Sequence, residues 1–283
     1  MPIIAGAGIP LVGPAAVTPE LVTSSDAFSM GIDAVSDTAG WTKYITTKGK
    51  AKTVNLINLD IPAAPIFQKI VGSVATANGA KLGVTTSLPV TATDATAQMA
   101  AASSGHPDAI LAITSQQLCV PVIRAHASVA PTIPLYVPGI CGAPSLIRAA
   151  GSAANGIYVG FGHYNPADTK NRDVAQYRDA LTHYGAKGIQ LSEFTSNAFA
   201  AVINLRALVD GIGPTVTPAL LVGALKATHD QPGFMSEPYS CNQRVPLDTS
   251  GCATGIRMLK VENGKLVDVG DNWFDGTGQI KLG

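Results

Sequence analysis

The chain has 283 residues, enough for two domains of ordinary size or for one large α/β fold, and only 13% of them are charged. Its 19 basic side chains balance 19 acidic ones, so the positive footprint of a nucleic-acid binder is missing. No apolar run reaches membrane-spanning length, and the opening MPIIAGAGIPLVG lacks the charged start and unbroken apolar stretch of a secretory signal.

In chain order the first elements are a strand at 9–12, a turn through GPAAVTPEL and a helix over 34–46. Five short apolar runs follow, at 53–58, 81–86, 109–114, 134–138 and 156–160. Each stops at small or polar residues and is followed by a helix-like stretch. Strands that are apolar throughout are buried on both faces, and parallel neighbours need crossover helices, so the pattern predicts a doubly wound parallel sheet of the α/β class. Between the runs, 65–78 places Ile66, Ile70, Val71 and Val74 on one helical face, and Asp94 is placed to cap a second helix. After FGHYNPAD the texture changes to longer helices: one carrying Val174, Tyr177, Leu181 and Tyr184 and ending at Gly185, then 194–211 and 218–229. Two strands at 255–261 and 266–270 flank Asn263–Gly264, a hairpin signal.

A doubly wound sheet binds ligands at the carboxyl ends of its strands. Here those ends carry Asn58 and Asp60, then Thr114, Ser115, Gln116 and Gln117, then Gly139 and Ile140. Such a lip is rich in hydrogen-bonding groups and poor in titratable ones, which suits holding a solute better than transforming it. Enzymatic patterns are incomplete. GAGIPL lacks the third glycine of a dinucleotide fingerprint, no GxxxxGK[ST] loop or GxSxG elbow occurs, and the five histidines have no metal-ligand spacing, so no cofactor and no metal are expected. A nucleophilic Cys119 at a helix start would have no evident His or acid to serve it. The segment from Glu193 to Asn197, where a long helix begins, is a further candidate cluster.

The cysteines allow three pairings or four buried thiols. Cys119 and Cys141 each follow a strand end that would be adjacent in the sheet, and Cys241 and Cys252 bracket a short polar loop, so these pairings are favoured. Oxidised cysteines place the protein outside the cytoplasm.

IPLVGPAAVTPEL, KAKTVNLINLD and TDATAQMAAASSGHPDAILAIT together resemble the type I periplasmic binding proteins, in the leucine/isoleucine/valine-binding branch of ABC-importer receptors. The resemblance runs over nearly the whole chain as a pattern of elements, with the first segment its most specific part. It implies two α/β lobes that close around a small organic solute, without catalysis, and a membrane permease that takes delivery. Lobe 1 would comprise 1–41 and 159–252, and lobe 2 would comprise 42–158 and 253–283. Family members carry further strands ahead of the IPLVG strand, so lobe 1 is expected to be incomplete and frayed. The implied solute contacts are Val17 and Thr18, which stand in the family's ligand segment, Asp60, Gln116, Gln117 and Ser196. Val17 replaces a family Thr, Pro62 falls near a family Tyr, and no acid stands around Cys141–Gly142, where amino-acid receptors hold the ligand ammonium; this argues against an α-amino acid. The rival expectation is an enzyme on a doubly wound fold, a dehydrogenase or transferase, which nucleotide binding would reveal.

Overall fold

The computed structural model describes residues 7–13, 21, 24–185, 188, 189, 191–242, 245 and 250–281. In chain order these form β1 (Leu11–Gly13), β2 (Ala27–Ile32), α1 (Ala34–Thr47), β3 (Thr53–Leu59), α2 (Ala64–Ala77), β4 (Lys81–Leu88), α3 (Thr96–Ala102), β5 (Ala109–Ala112), α4 (Cys119–Val129) and β6 (Leu135–Pro138). There follow α5 (Pro144–Ala150), β7 (Tyr158–Phe161), α6 (Arg172–Tyr184), α7 (Glu193–Ile212), α8 (Pro218–Lys226), β8 (Gly251–Ala253), β9 (Arg257–Glu262) and β10 (Lys265–Asp268).

The strands make two sheets, ordered β1-β2-β8 and β10-β9-β7-β6-β5-β3-β4. All pairs are parallel except β7 with β9 and β9 with β10. The five apolar runs of the sequence are the five parallel strands of the larger sheet. Their side chains alternate between two cores: Ile110 and Ala112 of β5 join Met99, Val122 and Ile147 on one side, while Ala109 and Leu111 join Ile45, Ile70 and Val74 on the other. Helices α3, α4 and α5 therefore cover one face, α1 and α2 the other. β4 departs from the expected double burial because it is the edge strand, and several of its side chains reach solvent. Asp94 accepts hydrogen bonds from the Thr96 N–H (3.2 Å) and hydroxyl (2.8 Å), as expected of a helix-starting carboxylate.

Both disulfides are present, Cys119–Cys141 with Cα atoms 5.3 Å apart and Cys241–Cys252 at 4.1 Å. β5 and β6 are neighbours, so the residues that follow their ends meet.

β2 and β8 were not anticipated. AFSMGI and GCA are too short and too mixed to signal strands; β2 is a strand because β1 and β8 flank it. The chain crosses between the sheets three times, at Ile32–Asp33, after Phe161 and after Ala253. The first crossing precedes α1, where the sequence division at 41/42 would have cut the helix. Asp33 caps α1 through Val35 N (2.7 Å) and Ser36 N (2.9 Å), and Trp41 and Ile45 bury themselves in the core of the larger sheet.

Candidate functional site

The carboxyl ends of β3, β5 and β6 form a lip, and the segment that follows β6 meets α7 of the smaller sheet's unit, Gly139 lying against Glu193. Asp60, Gln116 and Gln117 are exposed there, and Thr114 is buried beside them. Asn58 is buried with its Nδ2 donating to Ala64 O at 2.7 Å, while its Oδ1 has no partner. The Cys119–Cys141 bridge ties the segment after β5 to the segment after β6, fixing Gln116 and Gln117 relative to Gly139–Gly142. Val17 and Thr18 lie outside the described residues.

Ser196 sits elsewhere than on this lip. The box at the start of α7, in which Ser192 Oγ accepts from Thr195 N (3.3 Å) and Thr195 Oγ1 accepts from Ser192 N (3.0 Å), puts Glu193 and Ser196 in the first helical turn. Ser196 is fully buried, and its hydroxyl is 2.5 Å from His163 Nε2. His163 Nδ1 lies 2.7 Å from Tyr164 O, a contact that needs a proton on Nδ1 and leaves Nε2 to accept from the serine. Burial pushes His163 down to about 4, so the ring is neutral. A serine–histidine pair of this kind resembles a hydrolytic dyad, but the sealed hydroxyl admits no substrate. It is a structural contact between the second crossing and α7.

Beside it lies an acid cluster that the sequence did not single out beyond Glu193. Glu193 reaches from α7 to the larger sheet, where the amides of Ile140 and Gly162 point at its carboxylate. Desolvation nevertheless raises it to about 8, the two amides opposing the rise. A Cβ at Gly139 would overlap this carboxylate, so the strand end must be glycine for α7 to approach. Asp37, on the first turn of α1, is raised well above the ordinary carboxylate range by burial first, then by the charges of Glu193 and Asp33. The residue as a whole keeps some surface, but its Oδ1 is sealed, and neither Asp37 Oδ1 nor Glu193 Oε1 has a hydrogen-bond partner. At the third crossing Glu237 Oε1 accepts from Thr254 N (2.9 Å) and from Gly255 N. All three crossings are thus held by carboxylates.

A cavity of about 650 Å³ opens between the start of α5, the segment around Asn165, Leu191 and Ser192 at the start of α7, and the β9–β10 hairpin. Asp60, Gln116 and Gln117 do not line it. Among the described residues no group of three or more His, Cys, Asp or Glu side chains is arranged to hold a metal, and no helix is long and apolar enough to cross a membrane.

Two α/β units, joined by three crossings and facing each other over strand ends, define a bilobal binding protein. A family model described as periplasmic binding protein matches residues 1–249, and the chain belongs to that family. The family binds solutes rather than transforming them. The family works outside the cytoplasm. Solved structures share the fold: a leucine-binding protein from Thermotoga maritima is 17% identical with a TM-score of 0.77, over 97% of this chain and 75% of that one. A branched-chain amino acid ABC transporter protein from Thermus thermophilus with bound valine is 16% identical, TM-score 0.78, over 98% and 75%. A solute-binding protein from R. palustris in complex with benzoate is 20% identical, TM-score 0.75, over 95% and 72%. No curated protein matches the chain in sequence.

Proposed function

We propose that the two units are lobes that close on a small organic solute, related to branched-chain amino acids or aromatic carboxylates, and deliver it to a membrane permease. The observation that carries this reading is the polar lip of Asp60, Gln116 and Gln117, set opposite a second unit reached only through three crossings. A ligand that touches both units favours the form in which they meet. Lobe 1 then comprises the smaller sheet with α6, α7 and α8, and lobe 2 the larger sheet with α1 to α5, the chain dividing near Asp33, Gly162 and Thr254. On the first lobe Val17 and Thr18 complete the site, while Ser196 acts through His163 by fixing the start of α7. Structures of similar fold hold valine or benzoate, and another is described as leucine-binding; these define the probe set.

Calorimetry with leucine, isoleucine, valine and benzoate is expected to find binding by at least one. Alanine at Asp60 or Gln116 should weaken that binding about tenfold, the loss of a buried hydrogen bond being worth roughly 1–3 kcal/mol. If both alanine variants bind as the parent does, the lip is not the site. If the protein instead retains a nucleotide through purification, the receptor reading itself is wrong.

A further inference from the structure

We propose that the cavity of about 650 Å³ between the start of α5, the start of α7 and the β9–β10 hairpin is a second small-molecule site, separate from the lip, and that it takes a monocarboxylate with an apolar chain. Its volume falls within the roughly 300–1,000 Å³ usual for such sites. Four side chains from four parts of the chain give it an apolar wall: Ile147 of α5, Phe161 of β7, Leu191 just before α7 and Leu266 of β10. Ile147 and Phe161 belong to the core beneath α3, α4 and α5, and Leu266 packs against it, whereas Leu191 packs with the core of α6 and α7. The cavity lies where these two cores approach without merging.

Buried hydrogen bonds hold that wall in place. Asn165, only 6% exposed, donates from Nδ2 to Leu266 O (3.2 Å) and to Asp268 Oδ2 (3.3 Å), while its Oδ1 accepts from Ala167 N (3.0 Å). Arg178 of α6 donates to Pro166 O at 3.1 Å. The segment 165–168 is thus fixed to the hairpin on one side and to α6 on the other. A site preformed in this way loses less conformational freedom on binding than one that must be ordered by its ligand.

Charge at the rim selects the head group. Lys170 and Lys265 both line the cavity, come from different segments and are exposed, and among the described residues neither makes an ion pair. Two acids line it as well. Asp268 is paired with Arg257 Nη2 at 3.1 Å, so its charge is met from outside the cavity. Asp168 accepts from the Lys170 amide (3.0 Å) and has no ion pair among the described residues. The unpaired groups are therefore two cations and one anion, which favours one negative charge on the ligand and disfavours two. An ammonium head group would meet both lysines, and a dicarboxylate would bring its second charge to Asp168. The apolar wall takes the chain, each methylene withdrawn from water strengthening binding about fourfold.

Titration of the full chain with octanoate, followed by methyl NMR, tests this. The methyl groups of Ile147, Leu191 and Leu266 should shift, and affinity should rise about tenfold from hexanoate to octanoate and again to decanoate, two methylenes at a time. Octylamine should bind about fivefold more weakly than octanoate, or less well still. Lys170→Glu combined with Lys265→Glu, both at exposed positions where the fold tolerates change, should weaken octanoate about fivefold and leave octanol as in the parent. Asp60→Ala and Gln116→Ala should not alter octanoate binding, because neither residue lines the cavity. Absence of methyl shifts at the three residues, octylamine binding as tightly as octanoate, an affinity that does not grow with chain length, or an unchanged affinity in the double lysine variant would each overturn the site. Loss of octanoate binding in the Asp60 or Gln116 variant would overturn it too, by moving the carboxylate to the lip.

Discussion

The two units differ in how completely they close their own cores. The seven-stranded sheet has helices on both faces and fully buried central strands, with Ile57, Ile110, Leu111 and Val159 at 0% exposure. In the three-stranded unit the strands are short, and the outer edge of β1 has no neighbour among the described strands. α7 and α8 also leave Phe194 (54%), Val202 (65%) and Leu220 (51%) in solvent. A three-residue parallel strand such as β1 offers few ladder bonds, and its partners must be held by helices and the Cys241–Cys252 bridge. The larger unit is thus expected to carry the stability of the molecule and the smaller one its mobility.

The sharpest way to break that comparison is a pair of truncations. Leu111→Ala removes a side chain packed in the middle of the larger sheet and should cost about 2–5 kcal/mol in denaturant unfolding. Val202→Ala, on the exposed stripe, should stay within about 0.5 kcal/mol. Equal losses would mean that the units unfold as one and that the stripe is covered in solution.

Next in size are the disulfides. Their loops, separated by 22 and 11 residues, are each worth about 3 kcal/mol in the chain-entropy model. Replacing Cys119 and Cys141 together by serine should lower the main unfolding transition by that amount. The same change at Cys241 and Cys252 should instead accelerate exchange in β2 and β8 while leaving β3 to β6 protected. A shift of the main transition by both would merge the two units into one cooperative body.

A pH effect of similar size lies at the crossing between the units. His163 is neutral in the fold down to about 4, against 6.5 when free, so the unfolded chain binds the extra proton first. Its contribution is fully present above 6.5 and is lost as pH falls towards about 4, by roughly 3 kcal/mol in all. Asp37 and Glu193, with raised values, act in the opposite sense, so the measurement is the difference between parent and His163→Asn across pH ~4 to ~7. The parent should lose more stability than the variant as acid is added; parallel curves would show that His163 is not buried as a neutral ring.

The smallest effect concerns association. Val202→Lys should leave unfolding unchanged and reduce concentration-dependent self-association in sedimentation, since an apolar stripe beside a free strand edge favours contact between molecules. Unchanged sedimentation would mean that the stripe does not drive association.

How much of this was legible depended on whether the signal was local. The runs that became β3, β5, β6 and β7 were readable because burial on both faces makes most of their residues apolar or small, whereas β4 is the partly exposed edge strand and was marked by its place in the series. Asn263–Gly264 was readable because both residues take positive φ, at 50° and 74°, as a tight hairpin turn requires. The lip residues Asp60, Gln116 and Gln117 were placed correctly at strand ends because the ends follow from the strands. Ser196 was expected at the solute; it is buried against His163, since the phase of α7 turns it inward.

By itself, then, the sequence determined the parallel sheet, its flanking helices, the hairpin and the pairing of the four cysteines, all of which follow from periodicity or from elements adjacent in order. The tertiary structure decided the rest. β2 and β8 are strands only because residues as distant as Ser29 and Gly251 lie side by side. The acid cluster of Asp37 and Glu193 with His163 exists only where elements distant in sequence meet, and no local pattern marks it. Each of these residues is ordinary on its own element. Their desolvation, and with it their chemistry, comes from neighbours that the fold supplies.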